Sequence, residues 1–421
     1  MARDSSSTVQ RTVMTNYLFF YSHQYRWDLA FIKDIPAWNE HDPPWTKLDM
    51  QLMMTRYNPA GLRVFGVAME PSLVQLIPNL LNAQCLTRLE LYVITDESDI
   101  DVLIEFIMAH DQRWGSIREI KLQGTGSKHD PVRLVQCLSR PRLVDLSEWY
   151  HPVAHLDRIA SESLEALYLR TRERSPSEIS PSFLESCRSL RSLGMHITDP
   201  DLFKPFVLER TDGGEHSPRG YGKSGRSPGD KDHGDGDRVP LSRINFGGEE
   251  SVLATCLTDA VSAFQETLEE ITAGSWIFAE HSEQYVPLAW TFSLPLLTRL
   301  DLQGQIVLAF DLDALYWCPS LRFLSLDLPA LTHSVSGHKL ASLASLTRLR
   351  KLSLEGKWYV GDHLLDYLSE HLVSLVELNL DGCLGPTSQG LLSALRKMRS
   401  LERYCHAPVV DGHVAVLMSL P

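Results

Sequence analysis

Aliphatic residues recur along this chain in a fixed phrase: an apolar lead, two variable positions, an apolar residue, one variable position, then another apolar residue. The most regular copy spans 375–395 and reads LVELNLDGCLGPTSQGLLSAL. Leu375, Leu378 and Leu380 carry its first half, and Leu391, Leu392 and Leu395 carry its second. Alternation with period two predicts a strand, and the later spacing predicts a short helix after a polar turn. Clear copies begin at Leu401, Leu349, Leu321, Leu297, Leu190, Leu164, Ile117 and Leu86, and weaker ones at Leu268, Leu241, Leu143 and Leu62. Most leads lie about 21 to 31 residues apart. One strand and one helix share a single apolar face that they cannot bury alone, so copies must stack on one another.

Stacked copies predict an α/β solenoid, a horseshoe or arc with a concave parallel β-sheet and outer helices. The expected order is a segment 1–61 followed by the solenoid 62–421, interrupted at 211–239. The aromatic run Tyr17, Phe19, Phe20, Tyr21, Tyr25, Trp27, Phe31, Trp38 and Trp45 suits a cap over the first open rung. A helix is expected over 98–110, from Ile100, Leu103, Ile104 and Ile107, and another over 259–271. The Leu143 copy is irregular, because Glu148 stands where the third apolar residue belongs. Pro176 and Pro181 mark a helix start or block. Residues 211–239 are rich in Gly, Asp, Ser and Arg, with almost nothing apolar, and are expected to be disordered. The apolar stretch 409–420 reads either as a second cap or as a point where the chain stops short.

Composition narrows the function classes. The chain has 421 residues and a net charge of -13, which repels nucleic acid and acidic membrane surfaces. No apolar run reaches the ~18 residues of a membrane span. The run 17–21 is too short for a signal-peptide core. Seven scattered cysteines with no C-x-x-C pair read as reduced core thiols, with Cys187 and Cys318 each three residues before a lead leucine. That usage points to the cytoplasm or nucleus. No catalytic or metal-binding motif stands out, so no enzyme activity, metal or cofactor is expected. Gly222-Lys223-Ser224 resembles the end of a phosphate loop, but Ser217 holds the place of the leading glycine and no strand feeds it. The run 233–237 is read as solvated linker. Ser217 and Ser227 each precede a proline with an arginine nearby, which makes them candidate phosphosites.

Binding chemistry is expected on the strand face turned away from the core, at the third, fifth and seventh positions of each phrase. The seventh position gives Gln303, Asp327, Glu355 and Asp381, with Asp301 and Glu377 nearby. Acids stacked about 4.8 Å apart repel unless a cation lies across them. Two readings stay open: a basic partner, or internal neutralisation by Arg299, Lys351 and Arg403. A second candidate is Tyr92, Trp149, Tyr168 and Arg170, residue types that dominate binding hot spots; the alternative is aromatics packed on one another. The expected partner is a protein on the concave face of a monomer.

The phrase from Cys318-Pro319 to Leu326 and the copy at 375–395, with Cys383 and Gly390-Leu391, resemble the cysteine-containing leucine-rich repeats of the ribonuclease-inhibitor-like superfamily. This subclass is typical of F-box/leucine-rich-repeat proteins, including divergent ones abundant in fungi. The resemblance covers roughly 62–420. It implies a substrate receptor of a Skp1–cullin–F-box ubiquitin ligase, with Skp1 held by a degenerate F-box-like segment in 1–61 and the target held by the repeats. No L-P-x-E start precedes the repeats; Ile35-Pro36 is the nearest fragment. The alternative is a stand-alone repeat scaffold or regulator with no ligase link.

Overall fold

The computed structural model describes residues 17–20, 64–68, 87–94, 101, 104, 105, 108, 117–124, 131–138, 140–149, 153, 155–169, 179–207, 239–275, 293–329, 335–406 and 416–419. The chain divides into two units, Met1–Leu190 and Arg191–Pro421. Each is a ladder of parallel strands in which consecutive rungs pair, the topology expected of leucine-rich repeats.

The first unit contains β1 (Tyr17–Phe20), β2 (Val64–Ala68), β3 (Arg88–Ile94), β4 (Glu119–Gly124), β5 (Leu143–Trp149) and β6 (Ala166–Leu169). All five neighbouring pairs are parallel. The ladder therefore starts before Leu62, because Tyr17 pairs with Val64 in register. Its outer elements include α1 (Val132–Gln136), a 3-10 turn at Leu156–Ile159 and α2 (Pro181–Ser186). Pro181 is the first residue of α2, and the Ser180 hydroxyl accepts the Phe183 N–H at 3.2 Å. Proline suits that position because its missing N–H would have no partner there. Residues 101, 104, 105 and 108 are helical, in agreement with the helix expected over 98–110.

The second unit contains β7 (Ser192–Ile197), β8 (Arg243–Gly248), β9 (Glu270–Ser275), β10 (Arg299–Gly304), β11 (Phe323–Asp327), β12 (Val335–Ser336), β13 (Lys351–Glu355), β14 (Trp358–Tyr359), β15 (Glu377–Asn379), β16 (Arg403–His406) and β17 (Val416–Ser419). The main ladder is parallel from β7 to β16, and β17 pairs antiparallel with β16. The stretch 409–420 thus supplies an outer strand over the β16 edge, which would otherwise present unpaired backbone groups. A second, short parallel ladder joins β12 to β14. The outer elements are α3 (Glu250–Phe264), α4 (Ile306–Ala309), 3-10 turns at Leu312–Trp317 and Gly337–Ser345, α5 (Asp362–His371) and α6 (Ser388–Lys397). The helix expected over 259–271 begins earlier and ends at Phe264. Leu253, Leu257, Ala260, Val261 and Phe264 set its buried face, and the chain is already back in strand by Glu270.

One local rule closes six of the rungs. The residue three before the lead is apolar and buried, and its carbonyl accepts the lead's N–H. This holds for Cys187 to Leu190, Leu294 to Leu297, Cys318 to Leu321, Leu346 to Leu349, Leu372 to Leu375 and Met398 to Leu401. Cys187 and Cys318 therefore act as core residues. Burial pushes the Cys187 thiol up to about 11 and those of Cys318 and Cys383 up to about 12. Kept protonated, Cys383 Sγ donates to the Leu354 carbonyl at 3.3 Å, one rung back.

The outer segments are pinned in the same way. Asp362 at the start of α5 accepts the Thr387 N–H at 2.8 Å and the Thr387 hydroxyl at 2.6 Å. Thr387 Oγ1 in turn accepts the Gly390 N–H at 3.0 Å and so caps α6. A Cβ at residue 390 would collide with the Asp362 carboxylate, so a larger residue there would push that carboxylate out of its place on Thr387. The Thr387 hydroxyl, then its N–H, hold the Asp362 carboxyl below the usual carboxylate range. A depressed folded-state pKa contributes stability that is present above the unfolded value of ~3.9 and is lost as pH falls through the folded one. In urea unfolding followed against pH, Asp362→Asn is therefore expected to be less stable than the parent near neutrality. The gap should close below about pH 4. A gap that stays constant down to pH 2 would refute this role.

Candidate functional site

The open strand face of the second unit carries three rows of side chains, fixed by the parallel register. The first row runs Arg243, Glu270, Arg299, Phe323, Lys351, Glu377, Arg403. The middle row runs Asp301, Ser325, Ser353, Asn379, Cys405. The third row pairs Gln303 with Asp327 and Asp327 with Glu355, and Asp381 holds the equivalent place in the next phrase.

The first row neutralises itself. Arg243 reaches Glu270 at 3.7 Å, and Lys351 reaches Glu377 at 3.1 Å. Arg403 pairs with the same Glu377 from the other side. Phe323 interrupts the alternation of charge, with the Arg299 guanidinium 3.7 Å above its ring and Lys351 Nζ 5.2 Å from it. Arg299 also turns toward Asp301 at 3.3 Å, whose second oxygen accepts the Gln303 amide at 3.2 Å. Asp301 and Glu377 are thus internally paired, as one of the two sequence readings holds.

The third row is different. Among the described residues, no ion pair reaches Asp327, Glu355 or Asp381. Glu355 Oε1 accepts the Ser353 hydroxyl at 2.9 Å and the Asn379 amide at 3.0 Å. Those bonds hold it in place without cancelling its charge. Burial, then the nearby Glu355 and Asp301 charges, push the Asp327 carboxyl above its usual value. Neighbouring rungs put such charges about 5 Å apart, where repulsion is about 1 to 3 kcal/mol depending on exposure. The short middle row leaves a groove of about 510 Å³ between the walls, lined by Phe323, Ser325, Lys351, Ser353, Glu355, Glu377, Asn379, Arg403 and Cys405, with Leu378 and Tyr404. The sequence reading named the acids but passed over Phe323 and the hydroxyl-and-amide floor. Placing the third and fifth positions of every phrase side by side would have found both.

The second candidate set does not assemble as expected. Trp149 is in the core, 1% exposed. The cause is a register error in reading the Leu143 phrase. Leu143 pairs with Glu119 and Ala166, which both hold the third position, so the lead is Pro141 and the core residues are Val144 and Leu146. One residue is then inserted, since Lys121 pairs with Asp145 but Gln123 pairs with Glu148. Such a bulge flips the alternation beyond it. Asp145 holds the bulge by accepting the Ser147 N–H at 3.0 Å and hydroxyl at 2.6 Å. Glu148 then faces outward onto Lys121 at 2.9 Å, and Trp149 turns inward. Tyr168 is half-buried on β6, opposite Asp145. Tyr92 lies on β3, opposite Ala68, with its side chain outside the described residues. Arg170, Ser217, Ser227, residues 211–238 and all of 1–61 except β1 also lie outside them.

Among the described residues, no group of His, Cys, Asp or Glu has the arrangement to hold a metal ion. No described helix is long and apolar enough to cross a membrane. No known family profile matches the chain. No curated protein matches it either. Among solved structures, one similar chain is a plant peptide hormone receptor, RGFR1, in complex with RGF2. The identity is 12% and the TM-score 0.36, and the match covers 83% of this chain and 48% of that one. The chain therefore matches about half the length of that receptor. The repeat assignment rests on the strand ladder described above.

Proposed function

We propose that the protein is a non-enzymatic protein-recognition module that grips a basic segment of its partner on the open strand face of the second unit. The observation that carries this reading is the contrast between neighbouring rows. Every acid of the first row has a basic side chain beside it, whereas Asp327, Glu355 and Asp381 have none among the described residues. A lysine or arginine from a partner would relieve their mutual repulsion, and the groove beside them has room for the rest of the segment.

The finer proposal is a substrate receptor of a Skp1–cullin–F-box ubiquitin ligase, with residues 1–61 holding Skp1. The cysteine-containing repeat phrase supports it, with Cys318 and Cys383 both buried. A stand-alone scaffold in the cytoplasm or nucleus is the other reading, and it keeps the same binding face.

Affinity capture of the intact chain, beside the variant Asp327→Lys, Glu355→Lys, Asp381→Lys, tests the surface. The expected result is that basic partners are retained at least about 10-fold less well by the variant, a loss of about 1.4 kcal/mol. Recovery of the same proteins by both chains would rule the acidic row out as the binding surface. Skp1 in the eluate of both chains would support the ligase reading, and its absence when purified Skp1 is added would oppose it.

A further inference from the structure

A second groove lies on the outer side of the same unit, away from the strand face. It has a volume of about 600 Å³ and is built by three successive outer segments. One wall is the 3-10 turn Leu312–Trp317, which presents Tyr316 and Trp317 at 69% and 47% exposure. The opposite wall is α5, which presents Tyr367 at 43% exposure and His371 beside it, the two rings 4.4 Å apart. The floor between them comes from the 3-10 segment Gly337–Ser345. In such a helix residues i and i+3 eclipse, so Ala341 and Ala344 share one face and form a low strip between two aromatic ridges.

Large exposed aromatics are costly to leave in water, and three of them converge on one groove. Each lies against a second ring. Tyr316 and Trp317 meet edge to face, with ring centroids 5.5 Å apart at 89°. His371 Nδ1 lies 2.8 Å from the Tyr367 carbonyl oxygen. Among the described residues, no hydrogen bond engages the Trp317 indole N–H or the Tyr316 and Tyr367 hydroxyls. The groove therefore offers side-chain donors and aromatic faces but no backbone edge.

That chemistry discriminates between ligand conformations. A helix uses its own carbonyls internally, and an added strand needs a backbone edge to pair with. A polyproline II segment has no internal hydrogen bonds, so its carbonyls remain free to accept from indole and phenol donors. It also loses little entropy on docking between aromatic ridges. The charge at the rim adds a second requirement. Lys397 ties up Asp366 and Glu370 on the α5 side, at 2.6 and 2.9 Å. Asp313 has no basic partner among the described residues, and as the i−3 residue it sits on the same face of its turn as Tyr316. An arginine can stack on the Tyr316 ring while pairing with that carboxylate.

We infer that this outer groove is a docking site for a proline-rich segment carrying an arginine. The probe is a fluorescent decaproline peptide ending in arginine, titrated with the full chain and read by anisotropy. The control is a Gly-Ser peptide of equal length with the same arginine. The decaproline peptide is expected to bind. Trp317→Ala should weaken it at least about 10-fold, and Asp313→Asn should weaken it only when the arginine is present. All of these side chains are exposed, and circular dichroism would confirm that the variants stay folded. Equal binding of the Gly-Ser peptide, indifference to Trp317→Ala, or no binding up to about 1 mM peptide, would each overturn the assignment.

Discussion

Replacing Leu326 with alanine is expected to cost the second unit about 2–5 kcal/mol. Leu326 lies in β11 between Leu302 of β10 and Leu354 of β13, and all three are fully buried. The ladder hydrogen bonds fix the spacing of the strands, so the neighbours cannot close over a missing isobutyl group and a cavity remains. The Leu326 carbonyl also accepts the Trp358 indole N–H at 3.3 Å, so a backbone shift large enough to fill the cavity would break a buried hydrogen bond. Leu392→Ala is the control, since Leu392 is 55% exposed on α6. Its effect should stay within about 0.5 kcal/mol. Urea unfolding read by circular dichroism measures both. Equal losses would mean that the alternation of leucines is not what holds the stack.

The second large effect belongs to a glycine. Gly356 leaves β13 at φ +89°, and an added Cβ would stand 2.9 Å from Leu328 Cβ and 3.0 Å from the Leu328 carbonyl oxygen. Backbone strain of about 1–3 kcal/mol and overpacking of similar size should make Gly356→Ala cost about 2–5 kcal/mol. Relief is blocked on both sides: Leu328 N–H donates to the Glu355 carbonyl at 3.0 Å, and Gly356 N–H donates to the Asp381 carbonyl at 2.9 Å. Gly382 holds the same place one rung later, at φ +75°, and its nearest contact is longer, 3.2 Å to the Gly356 backbone. Gly382→Ala is expected to cost less than Gly356→Ala when both are measured by urea unfolding. The reverse order would show that contact with the previous rung does not set the cost. A loss at residue 356 would also disturb the groove, because Glu355 is the preceding residue and lines its acidic side.

Most of the ladder was legible in the sequence. The leads Ile117, Leu164, Leu190, Leu241, Leu268, Leu297, Leu321, Leu349 and Leu375 are all buried, including two of the four weaker phrases, Leu241 and Leu268. Alternation failed where a strand carries an extra residue. The Leu143 phrase looked irregular because its true lead is a proline, and because the bulge before Glu148 reverses which side chains face the core. Propensity cannot show such an insertion, since Trp149 is equally plausible on either face until the pairing is known. The boundaries of α3 were misplaced for a related reason: its buried spacing begins at Leu253, ahead of the segment where the helical pattern looked strongest.

The candidate site divides along the same line. That acids would line one row of the open face followed from the seventh position of successive phrases, because period-two alternation alone decides which side chains leave the core. Which of those acids keep their charge uncompensated did not follow. Arg403 and Lys351 converge on Glu377 from the rungs on either side, and Arg299 divides itself between Phe323 of the next rung and Asp301 of its own. Those choices depend on register and on where long side chains come to rest, so they exist only once the strands are stacked. The outer aromatic groove is of the same kind. Tyr316 and Trp317 fall in one outer segment and Tyr367 in another, and only the small residues of the segment between them open a space that all three line.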